Sequence, residues 1–152
     1  MSAKRADIQR IPTGIRNLDA LLGGGLPKGS ATIVTGPPGS GKTVLAQQLC
    51  FHNATAAEPA LYFNTLSEPT AKTLTYLQQF AYFDASKVEH GVHFVDLGAI
   101  VRAESLAQVA ELVISHVQRV KPALVVIDSF KVFDDMSRSS AELRKFSYEM
   151  AV

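Results

Sequence analysis

The 152-residue sequence predicts an α/β fold: a mainly parallel sheet with helices on both faces. Three observations predict it. Short apolar runs alternate with amphipathic stretches at helical spacing along the chain. The runs are continuously apolar, as in Ala123-Leu124-Val125-Val126-Ile127, which is the pattern of strands covered on both faces. A glycine-rich turn joins the first such run directly to a helix.

The elements follow in order. Ile15, Leu18, Leu21 and Leu22 recur at helical spacing, and Gly23-Gly24-Gly25 ends that short helix. Residues 31–35 read as a buried strand, and residues 42–53 as a helix starting from the glycine loop. Residues 60–64 form a second apolar strand. Residues 69–80 read as a helix with proline in its first turn. Residues 92–96 are a third strand. Leu106, Val109, Ala110, Val113, Val117 and Val120 form a stripe on a long helix that stops before Pro122. Residues 123–127 are a fourth strand. Ser139 and Glu142 have capping-box spacing for a last helix, which runs to Val152. The sequence contains neither a repeat nor a low-complexity tract, and residues 1–152 read as one domain.

Composition narrows the function classes. Basic and acidic residues number 15 and 14, without the surplus of a nucleic-acid binder, and the Lys4-Arg5 pair reads as a solvated tail. A hydrophobic fraction of 47% against 19% charged fits a packed core rather than disorder. Cys50 is the single cysteine, so an internal disulfide is excluded, which fits a reducing compartment. It reads as a small buried apolar residue. No apolar run approaches the ~20 residues of a membrane-spanning helix, and residues 1–10 are polar, without a signal-peptide core. The expectation is a cytoplasmic protein without a membrane partner.

The chemistry concentrates in Gly36-Pro37-Pro38-Gly39-Ser40-Gly41-Lys42-Thr43, a full match to G-x-x-x-x-G-K-[ST]. Gly36, Gly39 and Gly41 let backbone N–H groups turn inward without a side-chain clash. Those groups and the positive end of the following helix suit anionic oxygens. Lys42 is expected to reach the β- and γ-phosphates of ATP or a close relative, and the Thr43 hydroxyl to ligate Mg²⁺. The required context, an apolar strand before and an amphipathic helix after, is present.

Asp128 ends the fourth apolar run, 86 residues after Lys42. An acid there suits a second Mg²⁺ contact, usually through water; the alternative is that it caps the next turn. Ser129 is placed beside the same network. Glu68 is the candidate for orienting the attacking water. Pro69 disfavours a helical backbone at Glu68, which sets its carboxylate in a loop at the shared C-terminal edge of the strands. Its alternative is a surface glutamate at a helix N-terminus. His90 and His93 straddle Gly91, a turn rather than a metal face. Asp134 and Asp135 read as a solvated polar loop.

Taken together these residues resemble the KaiC-like branch of the RecA superfamily of ATPases. The resemblance runs from about Ile11 to the C-terminus. It is carried by Pro12-Thr13-Gly14-Ile15, Leu18-Asp19, Leu21-Leu22-Gly23-Gly24-Gly25-Leu26, Gly29-Ser30, the phosphate loop, Gln47-Gln48 and Val126-Ile127-Asp128-Ser129, which looks like the family's Walker B strand. The family carries two adjacent glutamates after its second strand. Here Thr65-Leu66-Ser67-Glu68 keeps the second, Glu68, and has serine for the first. The resemblance implies a RecA-like core, ATP hydrolysis with Mg²⁺, and a homo-oligomeric ring, a hexamer in the family. It does not extend to clock function or autokinase activity.

The leading expectation is therefore an ATP hydrolase, with Lys42 and Glu68 as the catalytic pair. Alternatives are a nucleotide-binding signalling or assembly module with little hydrolysis, and a DNA-recombination-type ATPase, for which no basic stretch follows Asp128. The resemblance also implies an incomplete core. In RecA-like sheets a further strand lies between the phosphate-loop strand and the Walker B strand. The runs ending at Thr35 and Asp128 would then flank a gap one strand wide, about 10 Å across.

Overall fold

An antiparallel two-residue ladder opens the fold, pairing β1 (Arg10–Ile11) with β2 (Leu26–Pro27) around the short helix α1 (Arg16–Leu21). Polar contacts close this loop. The Thr13 N–H donates to Asp19 Oδ1 at 2.7 Å, and Arg10 donates to the Gly25 carbonyl at 2.9 Å. Gly25 has φ +125°, and a Cβ there would lie 2.6 Å from the Ile11 carbonyl carbon, so only glycine fits. The structure is a computed structural model and describes residues 8–65, 70–88 and 90–151.

The main body follows as α2 (Lys42–Asn53), β3 (Ala60–Asn64), α3 (Thr70–Leu77), β4 (Val92–Asp96), α4 (Ile100–Ala103), α5 (Leu106–Val120), β5 (Leu124–Asp128), α6 (Lys131–Met136) and α7 (Ser140–Ala151). The strands form one parallel sheet in the order β4-β3-β5. Asn64 lies opposite both Asp96 and Asp128. Side chains alternate between faces. Ala60, Tyr62, Phe94 and Val126 therefore pack with Cys50, Phe51 and Ala54 from α2 and its end. Leu61, Phe63, Val95 and Ile127 pack on the other face with Val109 and Val113 of α5, Phe133 of α6 and Phe146 of α7. Helices cover both faces of a parallel sheet, as the apolar runs predicted.

Capping explains several boundaries. Ser105 and Gln108 form a reciprocal capping box at the start of α5, and Lys121 ends that helix in the left-handed region at φ 50°. At α7 the Ser139 hydroxyl accepts from the Glu142 N–H at 3.2 Å, and Glu142 reaches back to the Arg138 N–H at 2.7 Å.

Some expectations are corrected. Residues 31–35 do not form a strand. They have no ladder partner among the described residues, and Ile33 is 83% exposed. A strand exists through its ladder, and apolar composition does not supply a neighbouring backbone. The runs ending at Thr35 and Asp128 do not pair with each other: β5 pairs with β3, and 31–35 with no strand among the described residues. The short helix expected before Gly23 is present as α1, with Leu21 85% exposed and no residue of the helix buried. A six-residue helix held by the Asp19–Thr13 bond needs no apolar face. Asp134 and Asp135 are helical: Lys131 Nζ lies 2.7 and 2.6 Å from their carboxylates at i,i+3 and i,i+4 spacing. The helix expected over 69–80 is regular from Thr70 to Leu77.

Candidate functional site

The site is built where the glycine loop meets the C-terminal end of β5. Gly39 and Gly41 have φ +77° and +86°, a conformation that side chains with a Cβ rarely adopt. At Gly36 a Cβ would approach Ser40 Oγ to 2.7 Å. Gly41 is the N-cap of α2 and offers no side-chain cap, which leaves the first amides of the helix open toward the loop. Such a helix start is suited to anionic oxygens.

Lys42 folds back across the loop. Its ammonium donates to the carbonyls of Gly36 and Pro37, both at 2.9 Å. Two of its three donors hold the loop closed on itself, and a third is left for a ligand.

Thr43 and Asp128, 85 residues apart, meet directly: Thr43 Oγ1 donates to Asp128 Oδ2 at 2.7 Å. The same oxygen accepts a second bond, from the Tyr62 hydroxyl, also at 2.7 Å. Tyr62 is 2% exposed. Burial, reinforced by the Asp128 charge, pushes its hydroxyl well above the ordinary tyrosine range and keeps it a donor.

Behind Asp128 the strand ends are tied together. The Thr65 N–H donates to the Asp128 carbonyl at 2.9 Å. Thr65 Oγ1 accepts from the Ser129 N–H at 2.8 Å and donates to the Ser129 carbonyl at 3.0 Å. Ser129 thus engages Thr65 rather than the Asp128 carboxylate. Its own hydroxyl accepts from the Lys131 N–H at 3.2 Å. Glu68 lies three residues beyond Thr65, outside the described residues.

The structure therefore brings Lys42, Thr43 and Asp128 to one edge. Tyr62 and Thr65 were not singled out in the sequence. A signal for Tyr62 exists: a hydroxyl inside the run Ala60-Leu61-Tyr62-Phe63 needs a partner, and alternation places it on the Asn64 face. Among the described residues no three His, Cys, Asp or Glu side chains are grouped so as to hold a metal ion. A hydroxyl and a carboxylate sharing a bond are instead the sparse oxygen donor set that suits Mg²⁺, which keeps waters and takes phosphate oxygens. Away from the site, Cys50 is fully buried, and burial pushes its thiol up to about 12.

A parallel α/β sheet with a G-x-x-x-x-G-K-T loop beside a strand-ending aspartate defines a RecA-like ATPase core. The model of the KaiC ATPase family matches residues 11–151. DNA repair protein RadA of Mycolicibacterium smegmatis is 33% identical over 131 residues, covering 86% of this chain and 24% of that protein. A UPF0273 protein of Methanopyrus kandleri is 33% identical over 85 residues, 56% of this chain and 33% of that protein. Circadian clock oscillator protein KaiC of Thermostichus vulcanus is 26% identical over 156 residues, 95% of this chain and 30% of that protein. The chain belongs to the KaiC ATPase family within the RecA superfamily. It spans 24–33% of the length of these relatives. Among the described residues no helix is long and apolar enough to cross a membrane.

Proposed function

We propose that the chain binds ATP with Mg²⁺ at the loop of residues 36–43 and hydrolyses the bond between its β- and γ-phosphates, with ADP as the leaving group. The observation that carries this reading is the Thr43–Asp128 bond at 2.7 Å beside a loop closed by Lys42. The open amides of α2 and the Lys42 ammonium hold the β- and γ-phosphates. Thr43 and Asp128 hold Mg²⁺, which when bound neutralises charge on the phosphate oxygens. Glu68 orients the attacking water and takes its proton. Membership of the KaiC family supports a homo-oligomeric ring as the working state.

The test is Lys42→Ala, titrated with a fluorescent ATP analogue. Binding is expected to be abolished, because the cation facing the phosphates is gone. Wild-type affinity in a folded variant would refute the phosphate-site assignment.

Two other readings have an observation each. Ser67 stands where the family has its first glutamate, which favours a nucleotide-binding assembly or signalling module with slow hydrolysis. Single-turnover hydrolysis set against binding separates the two. The 33% identity to a DNA repair protein favours a DNA-linked ATPase. The near-neutral charge weighs against it. Salt-dependent retention of the chain on DNA would revive it, and no retention at low salt would end it.

A further inference from the structure

We propose that Tyr62 is a positioning residue for Asp128, its buried hydroxyl holding the carboxylate in the orientation that receives the metal. The inference rests on the Mg²⁺-nucleotide reading above and adds to it a residue from the sheet interior.

Packing alone does not call for the hydroxyl. Tyr62 sits among Cys50, Phe51, Ala54, Ala60, Leu77 and Val92, with the Phe94 ring 5.3 Å away. Phenylalanine would fill that space, and burying a hydroxyl there is costly unless it is bonded. Its bond goes to Asp128 Oδ2, the oxygen that also accepts from Thr43. Two donors from different elements thus fix one carboxylate oxygen. Among the described residues, Oδ1 accepts no hydrogen bond.

The tyrosine hydroxyl has a second polar neighbour. Gln47, one turn along α2 from Thr43 and also buried, lies against the Tyr62 hydroxyl. The Tyr82 hydroxyl donates to Gln47 Oε1 at 3.5 Å. Gln47 therefore borders both the Tyr62 and the Tyr82 hydroxyls. The Tyr82 link is long and weak; the Tyr62–Asp128 link, to a charged acceptor, is short and strong.

The experiment titrates a fluorescent ATP analogue against wild type, Tyr62→Phe and Gln47→Leu, in EDTA and across a Mg²⁺ series, with thermal melting alongside. Tyr62→Phe is expected to bind metal-free nucleotide like wild type. Its half-saturating Mg²⁺ concentration should rise roughly 10-fold, the lower end for losing one bond to a charged group. Gln47→Leu should shift the midpoint in the same direction by less, and it carries the test if Tyr62→Phe does not fold. Mg²⁺ midpoints equal to wild type in the folded variants overturn the proposal. So do equal losses with and without Mg²⁺, which mark a structural role alone. If wild type binds nucleotide in neither condition, the ATP reading fails first and the proposal falls with it. If wild type shows Mg²⁺-dependent binding and the variant curves coincide with it, only the proposal fails.

Discussion

Replacing Asp128 by alanine should destabilise the fold through a residue that never meets solvent. The substitution removes both bonds into Oδ2. Thr43 is exposed, so its hydroxyl turns to water at little cost. Tyr62 is 2% exposed, and its hydroxyl loses its carboxylate partner inside an apolar cluster. A buried polar group stripped of its partner costs about 1–3 kcal/mol. Tyr62→Phe alone also costs stability, because it breaks a bond to a charged acceptor, about 1.5–3 kcal/mol. In the double variant neither penalty applies in full, since donor and acceptor leave together. The single losses should therefore exceed the double loss by about 1–2 kcal/mol, well beyond the additivity expected of independent sites. Urea denaturation followed by circular dichroism measures this, provided the three variants share one slope with denaturant. Melting temperatures should follow at about 2–4 °C per kcal/mol for a chain of this size. Losses that add within about 0.5 kcal/mol would refute the buried-donor argument. A double variant less stable than Asp128→Ala would do the same.

Other outcomes follow from single residues. Glu68→Gln should keep ATP·Mg²⁺ binding and slow hydrolysis by about 10²–10⁴, read as binding and turnover together in an assembly-competent preparation; unchanged turnover assigns the water to another residue. Gly25→Ala should unfold or strongly destabilise the β1–β2 loop, since its Cβ would press on the Ile11 carbonyl at φ +125°; a melting temperature within 2 °C of wild type, roughly the effect of 1 kcal/mol, contradicts that contact. Cys50 holds its proton more tightly folded than unfolded, with its value raised from 9.0 to about 12. Its contribution to stability is therefore full below pH 9.0 and is lost as pH rises toward about 12. Compared with Cys50→Ala, wild type should lose stability more steeply across that window. Rapid alkylation of the native thiol at pH 8 would show it is not buried.

Several parts of the fold were legible because the signal was local. The helix over Lys42–Asn53 and the strands Ala60–Asn64 and Val92–Asp96 match their sequence-based bounds, and the fourth strand is displaced by one residue. Each is a periodic or continuous apolar segment with a turn at its end, so its pattern and its structure share one cause. The capping of the last helix by Ser139 was legible for the same reason, a contact spanning three residues. The run at 31–35 shows where this stops. Its composition is that of a buried strand, yet strand formation depends on a second backbone that composition cannot specify. At α1 the spacing of Leu18 and Leu21 located the helix, but spacing shows which residues share a face and not whether anything covers it, and Leu21 is exposed.

Sequence by itself determined the class of fold and the loop. The glycines at 36, 39 and 41 constrain the backbone directly, and Lys42 and Thr43 are adjacent to them in the chain. The tertiary structure decided which distant groups the loop meets. Parallel register sets Asn64 beside Asp128, and the packing of α2 on that face carries Thr43 to the same carboxylate. Tyr62 and Thr65 acquire their roles only there. A hydroxyl's chemistry is set by the atom within 3 Å of it, and across strands that atom is chosen by register and packing, not by sequence neighbours.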